Sequence, residues 1–261
     1  MAEPVYRPVI GLARAVFAAQ GLRFDIQGGE NVPRSGGAVM AINHVGYMDF
    51  TYAGFAALPS RRLVRFMAKQ EVFRHKVMGP LMRGMHHIPV DRDAGGGSYR
   101  AAVDALRAGE IVGVFPEATI SRSFELKEFK AGAVRMAAEA AVPVLPTVIW
   151  GSQRVWTKDR RKQMGRTRTP ISVVVGSPMP VAAGSDYTAV TAELRARMEQ
   201  MLHDAQKTYP DEPSGPEDTW WLPARLGGTA PTPDEAQQLD RDELRSRLAA
   251  AKRARDEGRS R

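Results

Sequence analysis

The sequence predicts an α/β protein in which helices flank a central, mostly parallel sheet, and two observations support this fold class. Six short apolar runs, each bounded by turn residues, have the length and composition of buried strands. Helical segments lie between most of these runs, and such alternation is typical of a sheet that is covered by helices. The predicted strands cover residues 38–42, 63–68, 86–90, 111–115, 143–150 and 171–175.

Capping signals and apolar spacing predict the helices that connect these strands. Residues 98–109 form one predicted helix, which Ser98 caps and Gly109 ends. The glycine triplet before Ser98 is predicted to be a flexible connector. Two further helices are predicted, an alanine-rich one over residues 128–141 and an amphipathic one over residues 186–207.

Residues 1–23 are predicted to form an amphipathic, interfacial helix ahead of the α/β domain, which is assigned to residues 24–210. Apolar side chains recur there at helical spacing, with Arg7 and Arg14 among them. A helix of about fifteen residues rises only about 22 Å, less than the ~30 Å hydrocarbon core of a membrane. Such a helix either lies in a membrane interface with its arginines toward the headgroups, or packs on its own domain.

Residues 211–261 are predicted to be a C-terminal extension that consists of a docking loop and a charged helix. The loop is rich in proline, glycine and acidic residues, but Trp220 and Trp221 are too large and apolar to remain loose. The loop is therefore expected to dock on the main domain. A capping box with proline at the first helical position then predicts a helix that ends near Asp256; its residues are Thr232, Pro233 and Glu235.

The composition narrows the class of function. The 261 residues include no cysteine, which removes disulfides, thiolate metal sites and a cysteine nucleophile. The net charge of +8 suits nucleic acid, an anionic membrane or an anionic substrate. Aromatic residues make up only 7% and do not interleave with basic segments, so lipid or phosphate is favoured over nucleic acid. No export signal and no membrane-spanning run is expected.

The stretch AINHVGYMDF, residues 41–50, carries a candidate base and its orienting carboxylate. His44 follows a predicted strand, and sites in open α/β sheets form where strands end. If a helix begins near Asp49, this carboxylate can hold the Nδ1–H of His44, so that the other ring nitrogen can take a proton from an alcohol. The motif G-x-S-x-G does not occur, so the substrate itself is expected to supply the attacking hydroxyl. A structural histidine is the alternative.

The stretch FPEATISRS follows another predicted strand and offers groups that suit a polyol phosphate. Glu117 is a candidate for binding hydroxyls, Thr119 and Ser121 add two hydroxyl groups, and Arg122 is a candidate for phosphate. A surface turn whose polar groups satisfy one another is the alternative reading of this segment.

Two more strand ends deliver the cations Lys69 and Arg92. Asp91 beside Arg92 also fits a simple surface ion pair, which contributes little. His86 and His87 indicate strand packing rather than a metal site, because no third ligand is sensibly spaced. No metal ligand is predicted.

Four blocks in this order and spacing resemble those of the glycerophospholipid acyltransferases: NHVGYMDF, HHIPVDR, FPEATIS and VPVLPTVIWG. The nearest subgroup is the bacterial 1-acylglycerol-3-phosphate acyltransferases, and the resemblance covers roughly residues 30–180. It implies that His44 is the general base and Asp49 its orienting partner. It also implies that Glu117 and its neighbours, with Arg92 and Lys69, hold the glycerol phosphate.

The third block departs from the family pattern F-P-E-G-T-R-S at two positions. Ala118 stands in place of the glycine, and Ile120 stands in place of the arginine. The loss of this arginine leaves the acceptor phosphate short of a bidentate partner. Arg122, two positions further on, is the predicted replacement, and the acceptor headgroup is the property that this departure puts in question.

The resemblance implies transfer of a fatty acyl group from an acyl thioester to the sn-2 hydroxyl of 1-acyl-glycerol-3-phosphate, which gives phosphatidic acid for phospholipid synthesis. The expected co-substrate is acyl-CoA, with acyl carrier protein as the other possibility, and no cofactor or metal is expected. Backbone N–H groups near the start of the helix after His44 are expected to stabilise the oxyanion.

The expected partners are a lysophospholipid acceptor, acyl-CoA and an anionic membrane surface, without nucleic acid. Attachment is expected to be peripheral or monotopic, at the cytoplasmic face of the cell membrane. Three alternatives remain: an acyltransferase for a different glycerol-phosphate or lysophospholipid acceptor, a thioesterase or lipid hydrolase that uses the His–Asp pair on water, and a basic membrane-surface protein without enzymatic activity.

Overall fold

In a computed structural model that describes residues 3–91 and 95–259, seven strands form one sheet in the order β1-β7-β6-β2-β5-β3-β4. All neighbouring strands in this order are parallel except β6 and β7, which are antiparallel. This arrangement confirms the predicted α/β class with a mostly parallel sheet. The strands are β1 (Arg23–Gln27), β2 (Ala38–Ile42), β3 (Val64–Lys69), β4 (Ile88–Val90), β5 (Ile111–Val114), β6 (Val144–Trp150) and β7 (Pro170–Val175).

Helices alternate with most of these strands, as the sequence predicts. The described helices are α1 (Tyr6–Gln20), α2 (Asp49–Ala56), α3 (Gln70–Arg74), α4 (Met78–Gly84), α5 (Gly95–Arg107), α6 (Gly132–Ala140), α7 (Tyr187–Lys207) and α8 (Pro233–Arg259). Strands β2, β5 and β6 are buried at every position. Continuous burial is the reason that these strands are apolar along their whole length and not only at alternate residues.

One observed strand was not predicted, and one predicted strand begins later than expected, each for a physical reason. β1 was not predicted, because it pairs only with β7 at the sheet edge and its residues alternate between exposed and half-buried. An edge strand of this kind lacks a continuous apolar run. The strand predicted over residues 86–90 begins only at Ile88, because His86 has a positive φ of 54°, which an extended strand excludes.

The start of α5 also differs from the prediction. The helix begins at Gly95, so the glycines before Ser98 form its first turn and are not a connector. The Ser98 hydroxyl accepts a hydrogen bond from the N–H of Asp91 at 3.1 Å, which ties the helix to the preceding segment. Ser98 therefore lies inside the helix and is not its cap.

α1 divides its apolar residues between two environments. Its inner face packs on the sheet domain, where the Tyr6 hydroxyl donates to the carbonyl of Val64 at 2.7 Å and Phe17 is buried. Leu12 and Val16 remain 67% and 39% exposed on the outer side. Among the residues that the structure describes, no helix combines the length and hydrophobicity that crossing a membrane requires.

The chain divides into two compact units, and the first comprises Met1–Ile120 and Glu128–Glu212. The second comprises Ser121–Lys127 and Pro213–Arg261. The first unit contains the sheet, and the second contains α8. The domain boundaries expected at residues 23 and 210, and the docking of the loop, stay predictions.

The second unit is held together by ion pairs and a helix cap. Lys127 pairs with Asp240 of α8, and Arg225 pairs with Glu125 at 2.6 Å. The predicted capping box is present, because the Glu235 carboxylate accepts from the N–H of Thr232 at 2.8 Å and the Thr232 hydroxyl accepts from the N–H of Glu235 at 3.3 Å. This local motif explains why the start of α8 could be predicted from the sequence alone.

Candidate active site

The candidate site lies at the carboxyl edge of the parallel strands β2, β5 and β3. Ala41 of β2 lies opposite Val114 of β5, and Phe66 of β3 lies opposite Gly113 of β5. The segments that follow these strands therefore leave the sheet at one edge. Because adjacent strands are about 4.8 Å apart, the ends of β2 and β3 are separated by roughly 10 Å.

His44 and Asp49 form a hydrogen-bonded pair at this edge. The Nδ1 atom of His44 lies 2.9 Å from Oδ2 of Asp49, which is the first residue of α2. The Asp49 side chain is fully buried, whereas the His44 side chain is 20% exposed. Because Nδ1 faces a carboxylate, the neutral imidazole carries its proton there, and Nε2 is the basic nitrogen.

The Asp49 carboxylate is also fixed by the backbone of the segment that it follows. Its Oδ2 atom accepts from the N–H groups of Val45 and Gly46, both at 2.8 Å. Within the described residues, the buried Oδ1 atom has no hydrogen-bond partner. Three donors on one oxygen hold the carboxylate at the imidazole, and this geometry suits a group that stabilises an imidazolium.

Asn43 and Gly46 hold the rest of this segment in place. The Asn43 side chain donates to the carbonyl of Ile149 at 3.0 Å and accepts from its N–H at 2.7 Å, which extends the pairing of β2 with β6. A Cβ atom on Gly46 would lie 2.3 Å from the hydroxyl of Ser152. Glycine is therefore required here by close packing and not only by a bend in the chain.

The amides of residues 44–47, between β2 and α2, all have partners within the protein. The N–H of His44 donates to Glu117 at 2.8 Å, and the N–H of Tyr47 donates to the carbonyl of Trp156 at 2.9 Å. The two amides between them are bound to Asp49. All four groups are engaged within the protein, and the expected oxyanion donors near the start of α2 stay a prediction.

The segment after β5 is attached to the His44 segment. Glu117 is buried, and its Oε1 atom accepts the N–H of His44. The Phe115 ring stacks on the imidazole, with 4.2 Å between the ring centres. Glu117, predicted from the sequence as a substrate-binding residue, thus holds the segment that carries the candidate base His44.

Ala118 and Thr119 follow Glu117 in different environments. Ala118 has a φ of 61°, a left-handed conformation that favours glycine, and this accounts for the glycine of the family pattern at this position. The Thr119 hydroxyl accepts from Nζ of Lys158 at 2.9 Å. Lys158 was missed by the sequence analysis, since it lies in a basic stretch outside the four blocks and no local signal marks it.

The remaining predicted site residues belong to other segments of the chain. Lys69 is exposed at the end of β3. Ser121 and Arg122 belong to the second unit. There the Ser121 hydroxyl donates to the carbonyl of Glu125 at 2.7 Å. Arg92 lies outside the described residues.

Arg122 is engaged with acidic residues of α8. Its guanidinium pairs with Asp240 and, at 3.0 Å, with Glu243. Ile120, which stands where the family pattern has arginine, is 3% exposed. The described residues contain no group of three or more histidine, aspartate or glutamate residues that could hold a metal ion.

An apolar groove that is partly open to solvent lies beside α2 in the first unit. One of its polar lining residues, His87, accepts the N–H of Phe66 at 3.1 Å through Nδ1. Burial, with the nearby Arg65, lowers the pKa of His87 to about 4, so this histidine is neutral near pH 7. The lining residues include Ile10 and Ala13 of α1, Phe50 and Phe55 of α2, and Phe66 of β3.

Known proteins with similar sequences are acyltransferases. Residues 23–150 match the family model described as Acyltransferase. The chain is 37% identical over 123 residues to the 1-acyl-sn-glycerol-3-phosphate acyltransferase of Bacillus subtilis, which covers 47% of this chain and 60% of that protein. It is 27% identical over 145 residues to the enzyme of that name from Borreliella burgdorferi, covering 53% and 56%. The chain thus spans little more than half the length of these relatives.

A solved structure has the same fold. The crystal structure of the 1-acyl-sn-glycerophosphate (LPA) acyltransferase PlsC from Thermotoga maritima superposes with a TM-score of 0.64 and 19% sequence identity. The superposition covers 78% of this chain and 81% of that chain.

Proposed function

Since this chain belongs to the acyltransferase family, we propose that it transfers a fatty acyl group from an acyl thioester to the sn-2 hydroxyl of 1-acyl-glycerol-3-phosphate, forming phosphatidic acid. The observation that carries this proposal is the His44–Asp49 pair, in which a partly exposed imidazole is oriented by a fully buried carboxylate. The names of the relatives supply the acceptor, and acylation of its sn-2 hydroxyl gives phosphatidic acid.

In this mechanism the Nε2 atom of His44 takes the proton of the sn-2 hydroxyl while the oxygen attacks the thioester carbonyl. A tetrahedral oxyanion forms, and its collapse breaks the carbon–sulfur bond. The thiolate then receives the proton from the imidazolium and leaves as a thiol. The buried Asp49 carboxylate stabilises the imidazolium during these steps and does not itself accept the proton. The donor that we favour is acyl-CoA, and acyl carrier protein is the other candidate.

The apolar groove beside α2 suits the hydrocarbon chain of a lipid substrate. Phe50 and Thr51, which line it, directly follow Asp49 in the chain. Burial of each methylene group in such surroundings contributes about 0.8 kcal/mol. His87 is kept neutral by burial and does not place a charge against the chain.

We also propose peripheral attachment at the cytoplasmic face of the cell membrane. Leu12 and Val16 project from α1, and Arg7 and Arg14 are exposed on the same helix. Apolar side chains can enter the headgroup region while arginines contact anionic lipids. The net charge of +8 adds a long-range attraction.

Flotation with anionic vesicles tests this attachment. We expect the double variant Leu12→Glu, Val16→Glu to lose most of its vesicle binding and to retain activity on detergent-dispersed substrate. Leu239→Glu on α8 is the control, because Leu239 is also exposed. Equal flotation of the double variant and the native protein would place the attachment elsewhere.

The activity is tested with radiolabelled acyl-CoA and a panel of acceptors: 1-acyl-glycerol-3-phosphate, lysophosphatidylglycerol, lysophosphatidylcholine and 1-acylglycerol. We expect labelled phosphatidic acid as the main product. Release of labelled fatty acid without an esterified product would instead indicate a thioesterase. A higher kcat/KM with another acceptor would change the assigned headgroup. Comparison of the rates with acyl-CoA and with acyl carrier protein as the acyl carrier would identify the donor.

A further inference from the structure

The connection between β6 and β7 is attached to the segment that carries His44. The N–H of Tyr47 donates to the carbonyl of Trp156 at 2.9 Å, and the hydroxyl of Thr157 donates to the carbonyl of Val45 at 2.7 Å. Thr157 is 2% exposed. Residues 156 and 157 are thereby held against the neighbours of the catalytic histidine.

The next residue, Lys158, reaches the second segment of the site. Its Nζ atom donates to the Thr119 hydroxyl at 2.9 Å, and its side chain is half-buried. Glu117, two residues before Thr119, binds the amide of His44. The ammonium group is therefore positioned from two directions, by the bond of Thr157 to Val45 and by its own bond to Thr119.

We propose that Lys158 binds the phosphate of the acceptor, an inference that rests on the function proposed above. In 1-acyl-glycerol-3-phosphate the reacting hydroxyl and the phosphate are on adjacent carbons. When the hydroxyl is at Nε2 of His44, the phosphate must lie close to the same segments. An ammonium has three donors, so one group can hold Thr119 and phosphate oxygens together.

The charge requirement of the acceptor supports this assignment. A phosphomonoester carries about −1.5 to −2 near neutral pH and needs several cationic partners. Ile120, at the position of the family arginine, is an apolar and buried side chain. The guanidinium of Arg122 is paired with two carboxylates of α8. Lys158 supplies a positive charge that is anchored directly to the segment after β5.

The test compares Lys158→Gln with Lys162→Gln. Lys162 belongs to the same basic connection, but its ammonium lies over the Trp156 ring at 4.0 Å. With 1-acyl-glycerol-3-phosphate at saturating acyl-CoA, we expect Lys158→Gln to raise the acceptor KM about ten-fold or more. The acyl-CoA KM should stay within about two-fold, Lys158→Arg should retain most of the activity, and Lys162→Gln should match the native protein.

A second acceptor separates failure of this inference from failure of the proposed function. The ratio of kcat/KM for 1-acyl-glycerol-3-phosphate to kcat/KM for 1-acylglycerol, which has no phosphate, should fall about ten-fold in Lys158→Gln. If the native protein does not acylate the phosphorylated acceptor, the proposed function is wrong. If it does and the ratio is unchanged in Lys158→Gln, or only the acyl-CoA KM rises, the phosphate assignment is wrong.

Thermal unfolding verifies that Lys158→Gln is folded. Should it fail to fold, Thr119→Val provides the decisive measurement, because it removes the hydroxyl that anchors the ammonium. The expected result is a rise of the acceptor KM by about three-fold or more with an unchanged acyl-CoA KM. An acceptor KM equal to that of the native protein would overturn the inference.

Discussion

The two segments that meet at the site differ in how their polar groups are satisfied. In residues 43–49, after β2, hydrogen bonds engage most of the polar groups: the Asn43 amide, four backbone N–H groups and the Asp49 carboxylate. In residues 115–120, after β5, Glu117 holds the first segment, and Lys158 from a distant part of the chain holds Thr119. The proposed base, His44, is thus positioned by nearby residues of the chain, whereas the neighbouring polar surface is assembled from separate elements.

His44→Ala should have the largest effect, because it removes the proposed general base from the locally organised segment. We expect kcat/KM to fall by roughly 10²–10⁴ while the fold is retained. His75→Ala, at an exposed histidine between α3 and α4, is the control. Activity within a few-fold of the native value in a folded His44→Ala protein would remove the basis of the mechanism.

Asp49→Asn tests whether the pair acts as a unit. The asparagine side chain has the same volume as aspartate but can stabilise the wrong imidazole tautomer. We therefore expect kcat to fall by roughly 10²–10⁴, the same range as for His44→Ala. The double variant should be little worse than either single variant, since residues that act together are not additive. Additive losses would show that Asp49 contributes independently of His44.

Glu117→Ala examines the connection between the two segments. The buried N–H of His44 would lose its acceptor, which should lower the free energy of unfolding by about 1–3 kcal/mol. Glu117→Gln keeps an acceptor oxygen and should be milder, and Glu128→Ala, at an exposed glutamate, should be near neutral. Denaturant unfolding measures all three, and equal stability of the alanine variant would mean that the connection is not required.

Ala118→Gly should have the smallest effect and the opposite sign. A left-handed alanine costs about 1–2 kcal/mol, and glycine relieves this cost but gives up about 0.5–1 kcal/mol through the entropy of the unfolded chain. We expect a net stabilisation of up to about 1 kcal/mol. Ala101→Gly, at an exposed position of α5, is the control and should lower the free energy of unfolding by a similar amount. If Ala118→Gly also lowers the free energy of unfolding, the φ angle of Ala118 does not have the role assigned to it.

Local signals in the sequence determined the position of the elements that a short run of residues specifies. The buried strands β2, β5 and β6 follow from continuous apolar runs, and the start of α8 follows from a capping box that spans four residues. The proximity of His44 and Asp49 could be predicted for the same reason, because five positions separate them and a helix begins at the second residue. In each case the signal is carried by a few consecutive residues.

Only the tertiary structure decided the contacts that join distant parts of the chain. The bond between Lys158 and Thr119 spans 39 positions, and the pairing of Arg122 with Asp240 spans 118. Leu12 is exposed and Phe17 is buried on the same helix, α1, and this difference likewise depends on which residues pack against each side chain. Composition and periodicity indicate which side chains lie on the same face of a segment. Which distant segment packs against that face is decided by the packing of the whole fold and by the burial of charged groups.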